Sequence, residues 1–311
     1  MLKFMLLFLL PFSLVAQPAF DVVPLGIRGG LDESNLSAYM IAPARSEKFV
    51  CVDAGTVRSG IKRAIALNTF KASESAVFKS YIKGYLVSHG HLDHLSGLII
   101  NSPDDTSKNI YAMPYVIDVL RDKYFSWESW ANFADQGEKP ALGKYHYQAL
   151  KPGNEVEIAN TELKVTAFEL AHSSPYKSTA FLLENKGDYL LYLGDTGADR
   201  VEKSDKLAQL WKAVAELVKT KKLKAVFIEV SYDNEQPETQ LFGHLTPKLL
   251  AEELAVLAEL SGRSAMAGLP VVITHIKPAT GVESRIKAEL KQANAFGVRF
   301  VFPEQGRRLR F

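Results

Sequence analysis

The run His89-Gly90-His91-Leu92-Asp93-His94 holds three imidazoles and a carboxylate, directly after the apolar run Gly84–Val87. Such a cluster is costly to bury unless a metal or many polar partners compensate it. Alternate residues of an extended turn point to one side, so His89 and His91 can clasp one ion. Asp93 and His94, opening the helix that follows, then reach a second. Imidazole and carboxylate ligands suit zinc and its divalent neighbours.

A dinuclear site needs ligands from elsewhere, and the ends of later apolar runs supply them. His172 follows Leu163–Leu170. Asp195 follows Leu190–Leu193 in Leu193-Gly194-Asp195-Thr196-Gly197, where glycine lets the chain turn and aim the carboxylate inward. His275 ends Val271–Thr274. Each alone could be a capping or turn residue, but their shared placement points to one centre. The expected cofactors are two divalent ions, zinc first among them. Ions about 3.5–4 Å apart can hold a hydroxide between them and stabilise both attacking and leaving oxygens. His244 stands before Leu245-Thr246-Pro247, with Thr246 as expected N-cap and Pro247 at the first helical position. A histidine beside a helix N-terminus is placed to meet a phosphate or to donate a proton. Asp93 and His244 are the candidate catalytic residues. His146, in Tyr145-His146-Tyr147, has no such setting and reads as structural.

These residues need strands to carry them. Short β-like runs recur at Val22–Leu25, Ser37–Ile41, Phe49–Val52, Tyr85–Val87, Leu163–Phe168 and Ala180–Leu183. They continue at Tyr189–Leu193, Ala225–Val230, Val271–Thr274 and Val298–Phe302. Helical spacing marks Ile61–Phe70, Leu207–Val218, Pro247–Leu260 and Ser284–Ala293. Strands cluster in the first half and alternate with helices in the second, which suits two packed sheets covered by helices, an α/β (α+β) fold. The aromatic-rich segment of about residues 113–150 reads as a helical insertion into a single domain spanning residues 17–311.

The chain has 311 residues, 47% hydrophobic, with a net charge of +2. That composition excludes disorder and gives no basic face for a nucleic-acid polymer. Lys219, Lys221, Lys222 and Lys224 read as the solvated end of a helix. The lone cysteine, Cys51, lies in the apolar run Phe49-Val50-Cys51-Val52, so it is neither a disulfide partner nor a ligand. Residues 1–16 carry Lys3, an apolar stretch from Phe4 to Leu10, then Pro11 and small residues to Ala16. That is the layout of a secretory signal, too short for a stable membrane anchor, although Leu14 is larger than cleavage sites usually favour. Its removal implies a periplasmic or secreted protein.

The spacing of HxHxDH, a distant His, Gly-Asp and a last His resembles the metallo-β-lactamase superfamily. The resemblance implies a four-layer αββα sandwich with the metals at one edge. It further implies that His89, His91 and His172 hold one metal, that Asp93, His94 and His275 hold the other, and that Asp195 bridges them. Asp53-Ala54-Gly55-Thr56 resembles an early turn of that superfamily, with Asp53 orienting a metal histidine. A narrower likeness runs on through Leu95-Ser96-Gly97-Leu98-Ile99-Ile100-Asn101-Ser102-Pro103. Together with Asn35-Leu36-Ser37-Ala38-Tyr39, Gly243-His244-Leu245-Thr246-Pro247 and Thr274-His275-Ile276-Lys277-Pro278, it is similar to the class II cyclic-nucleotide phosphodiesterases of the bacterial periplasmic type. The likeness implies hydrolysis of a 3′,5′-cyclic nucleotide to the 5′-phosphate, with cyclic AMP the first candidate and cyclic GMP a further one. His244 would then protonate the departing 3′ oxygen. Base recognition needs an aromatic surface, and both Tyr232 with Phe242 and Trp127 with Trp130 are candidates. The small cyclic nucleotide is the expected partner, and a homodimer stays open. Other secreted hydrolases of the fold (lactonase, β-lactamase, other phosphodiesterases) and a metal- or nucleotide-binding protein without turnover are the rival readings.

Overall fold

A computed structural model describes residues 17–311; the secretory signal expected over residues 1–16 lies outside the described residues. The first sheet takes its strands from the first half of the chain: β1 (Phe20–Gly26), β2 (Ala38–Pro43), β3 (Phe49–Val52), β4 (Ile82–Leu86), β5 (Lys108–Ala112) and β6 (Tyr145–Ala149). The second is built from β7 (Glu155–Glu157), β8 (Lys164–Ala171), β9 (Lys177–Asn185), β10 (Asp188–Leu193), β11 (Leu223–Glu229), β12 (Pro270–Thr274) and β13 (Arg299–Val301). The last strand, β14 (Leu309–Arg310), returns to pair with β1, giving orders β14-β1-β2-β3-β4-β5-β6 and β13-β12-β11-β10-β9-β8-β7.

Period-two alternation explains why the sheets face each other. In β11, Ala225 and Phe227 join the core between the sheets, while Val226 and Ile228 face the outer helices. The Tyr39 ring lies 5.6 Å from both the Tyr192 and Phe227 rings, stitching the two inner faces. Helices Arg58–Ala66 and Leu92–Asn101 pack Ile61, Ala64, Leu95 and Leu98 into the first core. Helices Lys206–Lys219 and Pro247–Ser261 bury Trp211, Val214, Leu250 and Leu254 on the second sheet. The architecture is therefore two sheets flanked by helices. No helix among the described residues is long and apolar enough to cross a membrane.

Two sequence-based expectations change. The helix expected over Ile61–Phe70 runs from Arg58 to Ala66 and ends before Asn68, whose φ is +57°. The insertion at 113–150 is helical only from Pro114 to Tyr124 and ends in the edge strand β6. There Tyr145 and Tyr147 alternate with His146 and Gln148 and pair in parallel with β5, so period two prevails over the helical expectation. The buried hydroxyls of Tyr85 and Tyr145 both donate to Asp105, which fixes that edge from inside.

β3 through β6 are parallel to one another, as are β10 through β13. Their C-terminal ends share one edge of the sandwich. That edge is where a sheet of this kind presents loops for a ligand site.

Candidate metal centre

Each candidate ligand sits just beyond the C-terminal end of a strand: His89 after β4, His172 after β8, Asp195 after β10 and His275 after β12. His91 is the N-cap of the helix Leu92–Asn101, and Asp93 lies in its first turn, where the helix dipole favours an anion. All seven expected ligands converge. The ligand atoms of His89, His91, His172 and Asp195 lie within 4.8 Å of one another, and so do those of Asp93, His94, Asp195 and His275. Asp195 belongs to both groups. Its Oδ1 is 3.2 Å from His94 Nε2, and its Oδ2 is 3.2 Å from His275 Nε2 and 3.7 Å from His89 Nε2.

On four of the five candidate histidines the other ring nitrogen is already occupied. His89 Nδ1 lies 3.0 Å from Ser88 Oγ, which itself donates to Asp53. His94 Nδ1 lies 2.8 Å from the Asp53 carboxylate. His172 Nδ1 donates to the Gly243 carbonyl at 2.9 Å, and His275 Nδ1 lies 2.9 Å from Ser231 Oγ. Every one of these contacts calls for a proton on Nδ1 and leaves Nε2 as the nitrogen that a cation at the centre would take. The Nε2 atoms of His89 and His94 are buried without any hydrogen-bond partner. Orphaned imidazole nitrogens around a shared carboxylate are the donor set a divalent cation completes, so the residues fit the implied metals.

The sequence reading missed half of the support. Asp53, held at φ +52°, accepts from the Ser88 amide, Ser88 Oγ and Tyr192 Oη and also faces His94. Glu229, at the end of β11, plays the same part opposite. Its Oε1 lies 2.7 Å from His244 Nδ1, and its Oε2 accepts from Ser231 Oγ, the partner of His275. Two buried carboxylates thus each steady two histidines, one directly and one through a serine. Glu229 with His244 and His275 also has ligand-like spacing, but the hydrogen bonds already fill those atoms. The signal for Glu229 was available: an acid inside the otherwise apolar run Ala225–Val230 must have a partner.

Burial keeps the His172 imidazole neutral, with its pKa lowered to about 4. Burial likewise pushes His89 well down, helped by the neighbouring His94. For His94 burial acts in the same direction, but Asp195, Asp53 and Asp93 outweigh it and raise its pKa. Burial would raise Asp195 too; His275 and His94 prevail and hold it well below the usual carboxylate range. The chain is tight around these rings. A Cβ at Gly29 would come 2.2 Å from the His275 ring, so only glycine fits there.

His244 is buried beside the centre, its ring 5.1 Å from those of both His172 and His275. Thr246 caps the following helix through the Leu249 amide, and Pro247 opens it, as expected. Two cavities flank the centre. One, of about 370 Å³, adjoins His89 and His91 and is walled by Tyr115, Val119, Pro175 and Tyr176. The other, of about 400 Å³, is lined by Ser231, Tyr232, Asp233, Lys277 and Arg285. Trp127 and Trp130 line neither; their indoles donate to Pro140 O and Ser102 Oγ. His146 is a half-exposed residue facing Asp135, away from the centre.

Over residues 20–306 the chain matches the family model described as cAMP phosphodiesterases class-II. It is 41% identical over 315 residues to the 3′,5′-cyclic-nucleotide phosphodiesterase of Aliivibrio fischeri, covering 96% of each chain. Its fold is similar to that of unliganded yeast PDE1, with a TM-score of 0.84 and 23% identity over 94% of this chain and 100% of that one. The metallo-beta-lactamase fold protein YhfI of Bacillus subtilis superposes with a TM-score of 0.63 and 16% identity over 94% of this chain and 99% of that one. With the fold, the clustered donors and a nearly full-length match in agreement, this chain belongs to the class II cAMP phosphodiesterase family.

Proposed function

We propose that the chain hydrolyses 3′,5′-cyclic nucleotides, cyclic AMP and cyclic GMP, to nucleoside 5′-phosphates with two divalent ions, zinc first among the candidates. The observation that carries this reading is Asp195, shared between two sets of donors, three of the four in each buried, in a member of this family. When bound, such ions supply Lewis acidity, an acidified water and neutralisation of phosphate charge. His89, His91 and His172 would hold one, Asp93, His94 and His275 the other, with Asp195 between them.

The protein itself supplies orientation and a proton. Hydrolysis forms a P–O bond from water and breaks the bond to the 3′ oxygen, which must leave protonated. Glu229 occupies His244 Nδ1, so Nε2 is the nitrogen available to that oxygen. Replacing His244 by Gln is expected to lower kcat about 10²- to 10⁴-fold, the range for a general acid, with metal content unchanged. Steady-state kinetics beside elemental analysis checks this. Loss of metal together with rate would instead make His244 a structural support of the centre.

Residues 17–311 form the catalytic unit in this reading, and the composition of residues 1–16 supports export to the periplasm or beyond. The test of the function is steady-state turnover of cyclic AMP and cyclic GMP beside a β-lactam and an acyl lactone. The reading expects hydrolysis of the cyclic nucleotides alone. Zinc-loaded protein that leaves them intact would be a binding protein instead.

A further inference from the structure

Resting on that reading of function, we propose that the cavity beside His89 and His91 is the nucleobase subsite and that Tyr176 is the platform on which the base stacks. Tyr176 is 61% exposed, a large ring left in water at the rim of an otherwise buried centre. Its centroid lies 5.4 Å from that of His91, so a base on this ring sits next to the atoms that would hold the phosphate. Tyr176 stands in the turn between β8 and β9, four residues after His172, and its amide donates to Ser173 O. One short turn therefore carries both a metal-facing histidine and the platform.

The remaining walls are apolar and fixed. Val119 packs so closely on the centre that a Cβ at Gly90 would lie 2.6 Å from its Cγ1. The Tyr115 hydroxyl donates to Ser178 O at 2.7 Å, which turns only the ring of Tyr115 toward the cavity. Lys177 is occupied by Glu169 at 3.0 Å. Polar groups of these walls are thus committed elsewhere, and the cavity offers faces more than hydrogen-bonding edges. Stacking on an aromatic face tolerates any base, because every base has one. The opposite cavity has a different character: Arg285 pairs with Asp233 at 2.7 Å, and Lys277 stands beside them, a charged and hydrated lining.

Kinetics on the metal-loaded protein tests this. Tyr176→Ala is expected to raise KM about tenfold or more for both cyclic AMP and cyclic GMP, with kcat little changed. Tyr176→Phe is expected to restore KM to within about twofold to threefold of wild type, since the ring is kept. Ribose 3′,5′-cyclic phosphate, which has no base, should be turned over equally by wild type and Tyr176→Ala. An unchanged KM in Tyr176→Ala, an equal loss on the abasic substrate, or a rise in KM confined to Tyr232→Ala would each overturn the subsite. Wild-type protein inert on cyclic AMP would overturn the reading of function instead.

Discussion

Asp195→Ala is expected to abolish turnover of cyclic AMP and to strip metal from the protein while leaving the fold in place. Asp195 is the one carboxylate common to both donor groups, and five imidazoles, those of His89, His94, His172, His244 and His275, lie within 4 Å of its oxygens. In the proposed two-ion reading its removal would take a shared ligand and the central negative charge from the site. Loss of an outer-shell partner alone costs about 10- to 100-fold in affinity or activity, so losing this ligand should exceed ~100-fold in kcat/KM. Asp195→Asn should fall nearly as far, because it keeps the shape and lacks the charge. Elemental analysis and steady-state kinetics on the two variants, with circular dichroism to confirm folding, check the result. Retained metal with full activity in either variant would exclude Asp195 as the shared ligand.

Asp53→Ala is expected to damage stability as well as metal binding. The carboxylate is fully buried, accepts from the Ser88 amide, Ser88 Oγ and Tyr192 Oη, and faces His94 Nδ1. Truncation leaves those groups buried without their partner. Breaking a buried charged network typically costs about 3–5 kcal/mol. For a domain of this size that amounts to a fall in Tm of roughly 10 °C in a thermal melt. Because His94 and His89 both lose their orientation, metal affinity should fall by a further 10- to 100-fold or so. Ser88→Ala removes only the link to His89, and its cost should stay near 1–3 kcal/mol. A Tm in Asp53→Ala within two degrees or so of wild type would show that the network carries little of the stability.

The convergence of the candidate ligands was legible in the sequence because their positions are a local property: they follow apolar runs long enough to be strands, and strand ends of this topology meet at one edge. Asp53 was expected to orient a histidine from the likeness of its turn to the superfamily, and it does lie 2.8 Å from His94 Nδ1. Glu229 was visible as an acid in an apolar run that needs a partner, but its role was not: His244 lies fifteen residues on, and His275, reached through Ser231, becomes a neighbour only once β11 is placed beside β12. The serines Ser88 and Ser231 look like ordinary turn residues; their role depends on which ring nitrogen each meets. The aromatic candidates divide: Tyr232 does border the centre, its ring 5.9 Å from that of His244. Trp127 and Trp130 drew attention by residue type, yet they are held in the irregular stretch before β6, while Tyr176 sits in a tight turn after a ligand. Composition marks aromatic density, but only the fold decides which ring borders the centre.

The most direct test of the account is a titration of metal-free protein with zinc, following bound metal and cyclic AMP turnover together and identifying the product by phosphorus NMR. The account predicts activity that saturates at two equivalents per chain and yields 5′-AMP alone. Saturation at one equivalent, full activity after exhaustive chelation, or release of 3′-AMP would contradict it.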